Sequence, residues 1–422
     1  MPSAARPVRL APEFRLEVDR FVPRRFLRFL FPVASIGLAL VVIEVFLRLA
    51  SIAYPAFDRA TPGLREWGVP HAEGWATGEV TSWVRLNAEG ARDRDHTVAK
   101  PSDTIRIVVV GDSYAAAFQV DMRDAFWAVA ERELKDCSAL GERTVEMINV
   151  SKNGYGTTEE LLALRRFGWK YEPDWVVLAF LTGNDFRNNS KALKDSDRPY
   201  FVFDDDSDEL RLDESYQRRK SFARWTGWPG DLWYGSVRAS RILQLARHLR
   251  RQIKIRIEMA DEAAERAQNE ARSQGAELGL DEAVYLEPRD PDWQSAWRTT
   301  EAVIRLMHTE TRQAGAHFLL MTLSNAIQVN PDVALRDAYA ARIGASDLFL
   351  PDRRLRALGD AAKFPVLTLA PILRAWAEDR ETCVHGFEDP WICQGHWNQH
   401  GHHVAGEQLA ARLCREMAAR RP

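Results

Sequence analysis

Five short apolar runs constrain this chain most strongly: Ile105 to Val110, Val145 to Val150, Trp175 to Leu181, Phe318 to Leu323 and Val366 to Leu369. They are mostly continuous in Val, Ile, Leu and Phe rather than alternating, as strands buried on both faces are. Helical patterns separate them. Strands alternating with helices build a parallel sheet covered on both sides, so the expected class is α/β. In detail this is a flavodoxin-like three-layer sandwich with a five-stranded parallel sheet in the order 2-1-3-4-5.

The run from Phe29 to Leu47 is nineteen residues long, holds Glu44 as its one ionisable group, and matches a hydrocarbon core of about 30 Å. It is expected to be a transmembrane helix, with Pro32 tolerated in its first turn and Glu44 paired to Arg48 one turn later. Arg6, Arg9, Arg15, Arg20, Arg24, Arg25 and Arg28 outnumber Glu13, Glu17 and Asp19 before it. The positive-inside rule then leaves the N-terminus in the cytoplasm and the rest of the chain outside, in the periplasm of a single-pass inner-membrane protein. Removal as a signal peptide, cut near Ser51-Ile52-Ala53, is the alternative.

The expected organisation is a basic tail over 1–28, an anchor over 29–48, a stalk over 49–100 and one domain over 101–422. The stalk is rich in Pro, Gly, Trp and charge and lacks periodicity. About 130 residues separate the third and fourth apolar runs, more than one crossover helix uses. A largely helical insertion is therefore placed at about 187–292, opening with a hairpin (Tyr200–Phe203 and Leu210–Leu212) around the acidic turn Asp204–Glu209. That turn departs from a calcium loop, having no Gly at its sixth position and Ser215 at its twelfth. Residues 238–273 read as a long exposed helix that could bind a cell-envelope protein partner. Trp293 to Ala314 fits the crossover helix.

Composition removes several classes. A balance of 57 Lys and Arg against 60 Asp and Glu leaves a net charge of −3, without the basic excess that nucleic-acid binding uses. Four cysteines with no CxxC pair argue against structural zinc. Neither a GxSxG elbow nor a P-loop occurs.

The chemistry-bearing residues lie at strand ends, where open α/β sheets bind ligands. The first strand runs into Gly111-Asp112-Ser113-Tyr114. The second is followed by Ser151-Lys152-Asn153-Gly154-Tyr155-Gly156 and the third by Gly183-Asn184-Asp185. Near the C-terminus stands His396-Trp397-Asn398. In this order the sequence resembles the SGNH (GDSL-type) hydrolase superfamily, whose four signature blocks carry Ser, Gly, Asn and His. The resemblance spans roughly residues 83–418. The fragments Asn87 to Asp93 and Glu44 to Arg48 resemble the membrane-anchored bacterial members.

The resemblance implies a serine hydrolase acting on an ester, with Ser113 as nucleophile and His396 as its base. It assigns the oxyanion donors to the Ser113 and Gly154 backbone N–H groups and the Asn184 amide, with Gly156 the rival to Gly154. Asp112 and Asp185 are expected to brace their turns. The sequence departs from the superfamily at the acid that orients the histidine. Gln394 and Cys393 stand where an Asp is usual, which leaves Asp389 or Glu388 displaced into the role, or a Ser-His dyad.

His400, His402 and His403 cluster near His396, but without a Cys pair or HExxH they are assigned no metal. No cofactor is expected. A Cys383–Cys393 bridge is compatible with an exported domain, and Cys137 and Cys414 would share a sheet face; free thiols are the alternative. The expected partners are the membrane and an acylated small molecule or glycan, such as an O-acyl group of envelope polysaccharide. An O-acetyltransferase and a non-catalytic tethered binding domain are the competing functions.

Overall fold

The computed structural model describes residues 24–204, 207–268, 280–388 and 392–420. The basic tail up to residue 23, Asp205 and Asp206 of the acidic turn, residues 269–273 of the expected long helix, and Asp389 lie outside them.

The chain divides after Ser51. Before the division the helix Arg24–Leu49 carries an apolar stretch, Phe29–Leu49, long enough to cross a membrane and exposed along almost all its length. Glu44 and Arg48 form an ion pair at 2.7 Å. Pro32 was expected in the first turn but sits well inside the helix, because the helix already covers Arg24. Its ring removes one backbone hydrogen bond there.

The second unit, Ile52–Pro422, begins inside the segment expected to be a stalk. That segment folds. β1 (Asp58–Ala60) pairs with β2 (Glu66–Gly68), and β3 (Glu73–Thr77) pairs with β4 (Thr81–Arg85), both antiparallel. Trp75 and Trp83 face each other across the second pair, ring centroids 5.1 Å apart. Leu64, Trp67, Val84 and Leu86 are buried. Asp93 accepts the Asn149 N–H at 2.7 Å and the Arg92 guanidinium donates to the Val120 carbonyl at 2.6 Å, tying the segment to the main sheet. The expected 49–100 linker is therefore corrected: from residue 52 its buried aromatic and aliphatic side chains make it part of the domain.

The main sheet comprises β5 (Thr104–Gly111), β6 (Thr144–Asn149), β7 (Trp175–Leu181), β10 (His317–Leu323) and β11 (Val366–Thr368). The hairpin β8 (Tyr200–Phe203) and β9 (Leu210–Asp213) lies between β7 and β10 in the chain. All sheet pairings are parallel, in the order β11-β10-β7-β5-β6, which is 2-1-3-4-5 read from the other edge.

Strand side chains alternate between two cores. Ile107, Val109, Val177, Ala179, Met321 and Leu323 enter one, with the helices Phe126–Leu134, Ala370–Arg380 and Gln399–Ala418. Val108, Val110, Val176, Leu178, Phe180 and Leu320 enter the other, with Thr157–Ala163, Pro291–Gln313 and Leu350–Ala362. This two-sided burial explains why the strand sequences do not alternate.

A disulfide joins Cys137 to Cys414 on the first of these faces, and a second joins Cys383 to Cys393. Within the insertion, Lys220–Thr226 and Trp228–Ala239 precede the long helix Arg241–Gln268, which begins at Arg241 rather than 238 because Ser240 is extended.

Candidate active site

β5 delivers Gly111, Asp112 and Ser113 to its carboxyl end, beside the carboxyl ends of β6 and β7. Asp112 closes the turn by accepting the Tyr114 N–H at 2.9 Å. Burial pushes the Asp112 carboxyl up to about 6 against that hydrogen bond and the nearby His396. The Tyr114 hydroxyl donates to the Gly395 carbonyl at 3.0 Å, linking the serine turn to the chain entering His396.

His396 Nε2 lies 2.7 Å from Ser113 Oγ. On the other side of the ring, Nδ1 lies 2.7 Å from Glu79 Oε1, and Glu79 Oε2 accepts the His396 backbone N–H at 3.0 Å. One carboxylate thus holds both the imidazole and its peptide. Glu79 comes from the three-residue tip Gly78-Glu79-Val80 joining β3 to β4. The displaced-acid expectation is corrected accordingly: Glu388 is exposed, and Glu79 occupies the Nδ1 side of His396.

Burial pushes the His396 pKa down, but the Glu79 hydrogen bond and charge, with Asp112, outweigh it and raise it above 6.5. Burial likewise pushes Glu79 up, and the hydrogen bonds and charge of His396 overcome this to hold it below 4.5. Opposite shifts in a contacting acid and base are the signature of a charge-stabilising pair. Gly395 makes room for it. Its φ is +71°, and a Cβ there would sit 2.5 Å from Glu79 Oε1.

Further contacts fix the loop. His385 is buried, which pushes its pKa down to about 4; its Nδ1 lies 2.6 Å from the Gly395 carbonyl and its Nε2 3.0 Å from Ser324 Oγ. The Asn398 side chain accepts from His400 N and Gly401 N, capping the last helix, and donates to the Cys383 carbonyl.

Gly154 adopts φ +73°, and its carbonyl accepts from Arg65 at 3.0 Å and Arg198 at 2.9 Å. The Gly156 N–H donates to Glu159 Oε2 at 3.1 Å in the cap of the following helix. That donor is spent within the turn. Asn184, half-buried, stands just beyond β7 at the start of the turn Asp185–Asn188. Asp185 Oδ2 accepts the Leu181 N–H at 2.8 Å, bracing this turn.

The three neighbouring histidines go three ways. His402 is buried with Nδ1 accepting the Phe126 N–H, His403 faces Glu407 at 3.2 Å, and His400 packs on Trp376. Among the described residues no group of three or more His, Cys, Asp or Glu is arranged to hold a metal.

The site opens into a cavity of about 460 Å³ lined by Glu79, His396, Asn153 and Gly154, by Tyr54, Phe57 and Trp75, and by Arg247 and Arg251 from the insertion. Three of its elements, the 54–58 segment, the β3–β4 tip and the insertion helix, lie outside the strand-end blocks.

No family model matches the sequence, and no curated protein matches it. Solved structures that align with it include the acetyl xylan esterase AlAXEase, at 11% identity over 73% of this chain and 100% of that one, with a TM-score of 0.35. TesA aligns at 13% identity over 73% and 97%, TM-score 0.32. A lipase/acylhydrolase from Enterococcus faecalis aligns at 14% over 74% and 96%, TM-score 0.34. The chain's own parallel sheet, in the order 2-1-3-4-5, carries the Ser113, Gly154 and Asn184 blocks beyond the carboxyl ends of β5, β6 and β7, with the His396 block just ahead of the final helix.

Proposed function

We propose that this chain is a membrane-anchored serine hydrolase of carboxylic esters, with Ser113, His396 and Glu79 as its triad. The observation that carries the reading is the continuous contact from Ser113 Oγ through His396 to Glu79, 2.7 Å on each side of the ring. With Nδ1–H donated to Glu79, the Nε2 lone pair faces the serine hydroxyl, which is the tautomer a general base needs.

Ser113 Oγ attacks the ester carbonyl as its proton passes to His396 Nε2. The carbonyl oxygen becomes an oxyanion, received by the N–H groups of Ser113 and Gly154 and the Asn184 amide. Collapse breaks the ester C–O bond, and the alcohol leaves with the His396 proton. Water, deprotonated by His396, then cleaves the acyl-serine and restores the enzyme. A sugar hydroxyl in place of that water would make the same site an O-acyltransferase. The helix Phe29–Leu49 serves as anchor, with the domain outside the cytoplasm and an O-acyl group of envelope polysaccharide as substrate.

A non-catalytic binding domain was the alternative raised by the missing acid before His396. Glu79 supplies a carboxylate at that position. The test is turnover of a short-chain aryl ester by the detergent-extracted chain. Ser113→Ala and His396→Ala are each expected to abolish it with the fold intact, and full activity in Ser113→Ala refutes the reading. Incubation with an acceptor glycan separates transfer from hydrolysis by product.

A further inference from the structure

The helix Arg241–Gln268 presents one stripe, Gln244, Arg247, His248, Arg251 and Gln252, with the i, i+3, i+4, i+7 spacing of a single helical face. Most of that face is seated on the segment that builds the active site. Gln244 accepts the Tyr54 N–H at 3.1 Å, and the His248 ring stacks on Tyr54 at 3.9 Å. Arg247 donates to the Pro55 carbonyl at 3.1 Å. Gln252 donates to Thr77 Oγ1 at 2.8 Å, two residues before Glu79. The helix is thus a fixed wall of the cavity that also contains His396 and Gly154.

The charges lining this cavity do not cancel. Its acids are Asp58, Glu66 and Glu79, and each is already engaged. Glu79 holds His396, Asp58 pairs with Lys152 at 3.0 Å, and Glu66 pairs with Arg65 at 2.9 Å and Lys152 at 3.6 Å. Arg247 and Arg251 remain. Among the described residues Arg247 has the Pro55 carbonyl and no carboxylate, and Arg251 makes neither ion pair nor hydrogen bond. Like charges one turn apart on a helix repel, and here both line the cavity that also contains His396 and Gly154. Burial and then the Arg251 charge push the Arg247 pKa below its ordinary value, outweighing the attraction of Asp58. An oxyanion between the two guanidiniums would relieve that repulsion and use donors suited to carboxylate and phosphate.

We propose that Arg247 and Arg251 bind an oxyanionic group, a carboxylate or a phosphate, on the substrate, so that the Ser113 site is selective for negatively charged esters. This rests on the reading of Ser113 as the nucleophile.

The experiment compares kcat/KM for three acetate esters of phenols: one neutral, one with a ring carboxylate and one with a ring phosphate. An aryl hemiglutarate places the carboxylate on the acyl side instead. In the double variant Arg247→Gln/Arg251→Gln, the ratio of anionic to neutral kcat/KM is expected to fall about tenfold or more, the size of one charge-assisted hydrogen bond. The probe most affected identifies the group and the side of the ester. The wild-type preference should fade with added salt, and Arg247→Lys/Arg251→Lys should recover part of it. Arg250→Gln, outside the cavity, should leave the ratio unchanged. Equal loss on all esters in the double variant, or a wild-type preference insensitive to salt, overturns the charge assignment while leaving the esterase reading standing. A wild-type chain that hydrolyses none of the esters overturns both.

Discussion

Glu79 Oε1 lies 2.7 Å from His396 Nδ1, across a separation of 317 residues. The final block of the chain thus receives its orienting acid from a hairpin that precedes the nucleophile. Because Glu79 also accepts the His396 backbone N–H, it fixes the ring and the peptide together. Glu79→Gln is expected to lower kcat by about three to four orders of magnitude, as loss of a tautomer-fixing acid does, with little change in KM. Glu388→Gln should be close to neutral, its side chain being exposed. Steady-state kinetics on the two variants check this, and the reverse ranking would contradict it.

The pH profile follows from the same pair. His396 must be neutral to accept the Ser113 proton, so activity should rise with pH through an apparent pKa above 6.5. In Glu79→Gln that limb should move to lower pH, because the hydrogen bond and charge that favour the imidazolium are gone. Stability runs the other way. The raised His396 pKa contributes stability that is full below 6.5 and lost as pH rises through the folded value. The depressed Glu79 pKa contributes above 4.5 and is lost as pH falls through its folded value. The pair therefore stabilises the fold most between these limits, below the pH at which the site is most active. Thermal melts of wild type and Glu79→Gln across pH 4 to 8 should converge toward the alkaline end.

Asn184→Ala should reduce kcat by about a hundredfold or more if the amide receives the oxyanion. Gly156→Ala tests the turn instead, because its N–H is already committed to Glu159 and a Cβ would sit 2.7 Å from that of Asn188. Its cost should appear in the melting temperature.

The two disulfides should separate in their effects. Cys137–Cys414 spans 277 residues and ties the turn after the helix Phe126–Leu134 to the last helix, on one face of the sheet. Replacing both cysteines with Ala should cost about 2 to 5 kcal/mol in urea unfolding. Cys383–Cys393 closes the short loop that contains His385 and leads into His396. Cys383→Ala/Cys393→Ala should therefore lower kcat with a smaller loss of stability.

The parallel sheet was legible because buried strands carry near-continuous Val, Ile and Leu, and the four blocks because each is a short, local string, three at the end of such a strand and the fourth just before the last helix. Glu79 was hidden by distance and by context. Residues 54–100 have no long periodic window, since they fold as three- and five-residue strands with at most two buried side chains each. A signal was present in Trp75-Ala-Thr-Gly78-Glu79-Val-Thr-Ser-Trp83, where two aromatics flank a glycine turn as in a short hairpin. The helix Arg241–Gln268 was legible as a helix, whereas its seat on Tyr54, Pro55 and Thr77 depends on tertiary packing that no local pattern encodes.

In the proposed mechanism Ser113 is a nucleophile activated through His396 and Glu79. Reaction of the detergent-extracted chain with a fluorophosphonate probe, followed by mass mapping, tests it most directly. The account predicts one stoichiometric adduct on Ser113, no adduct in Ser113→Ala, and labelling slowed by orders of magnitude in both His396→Ala and Glu79→Gln. A folded wild-type chain that takes no label at Ser113, or takes it at the same rate in all three proteins that retain the serine, would contradict it.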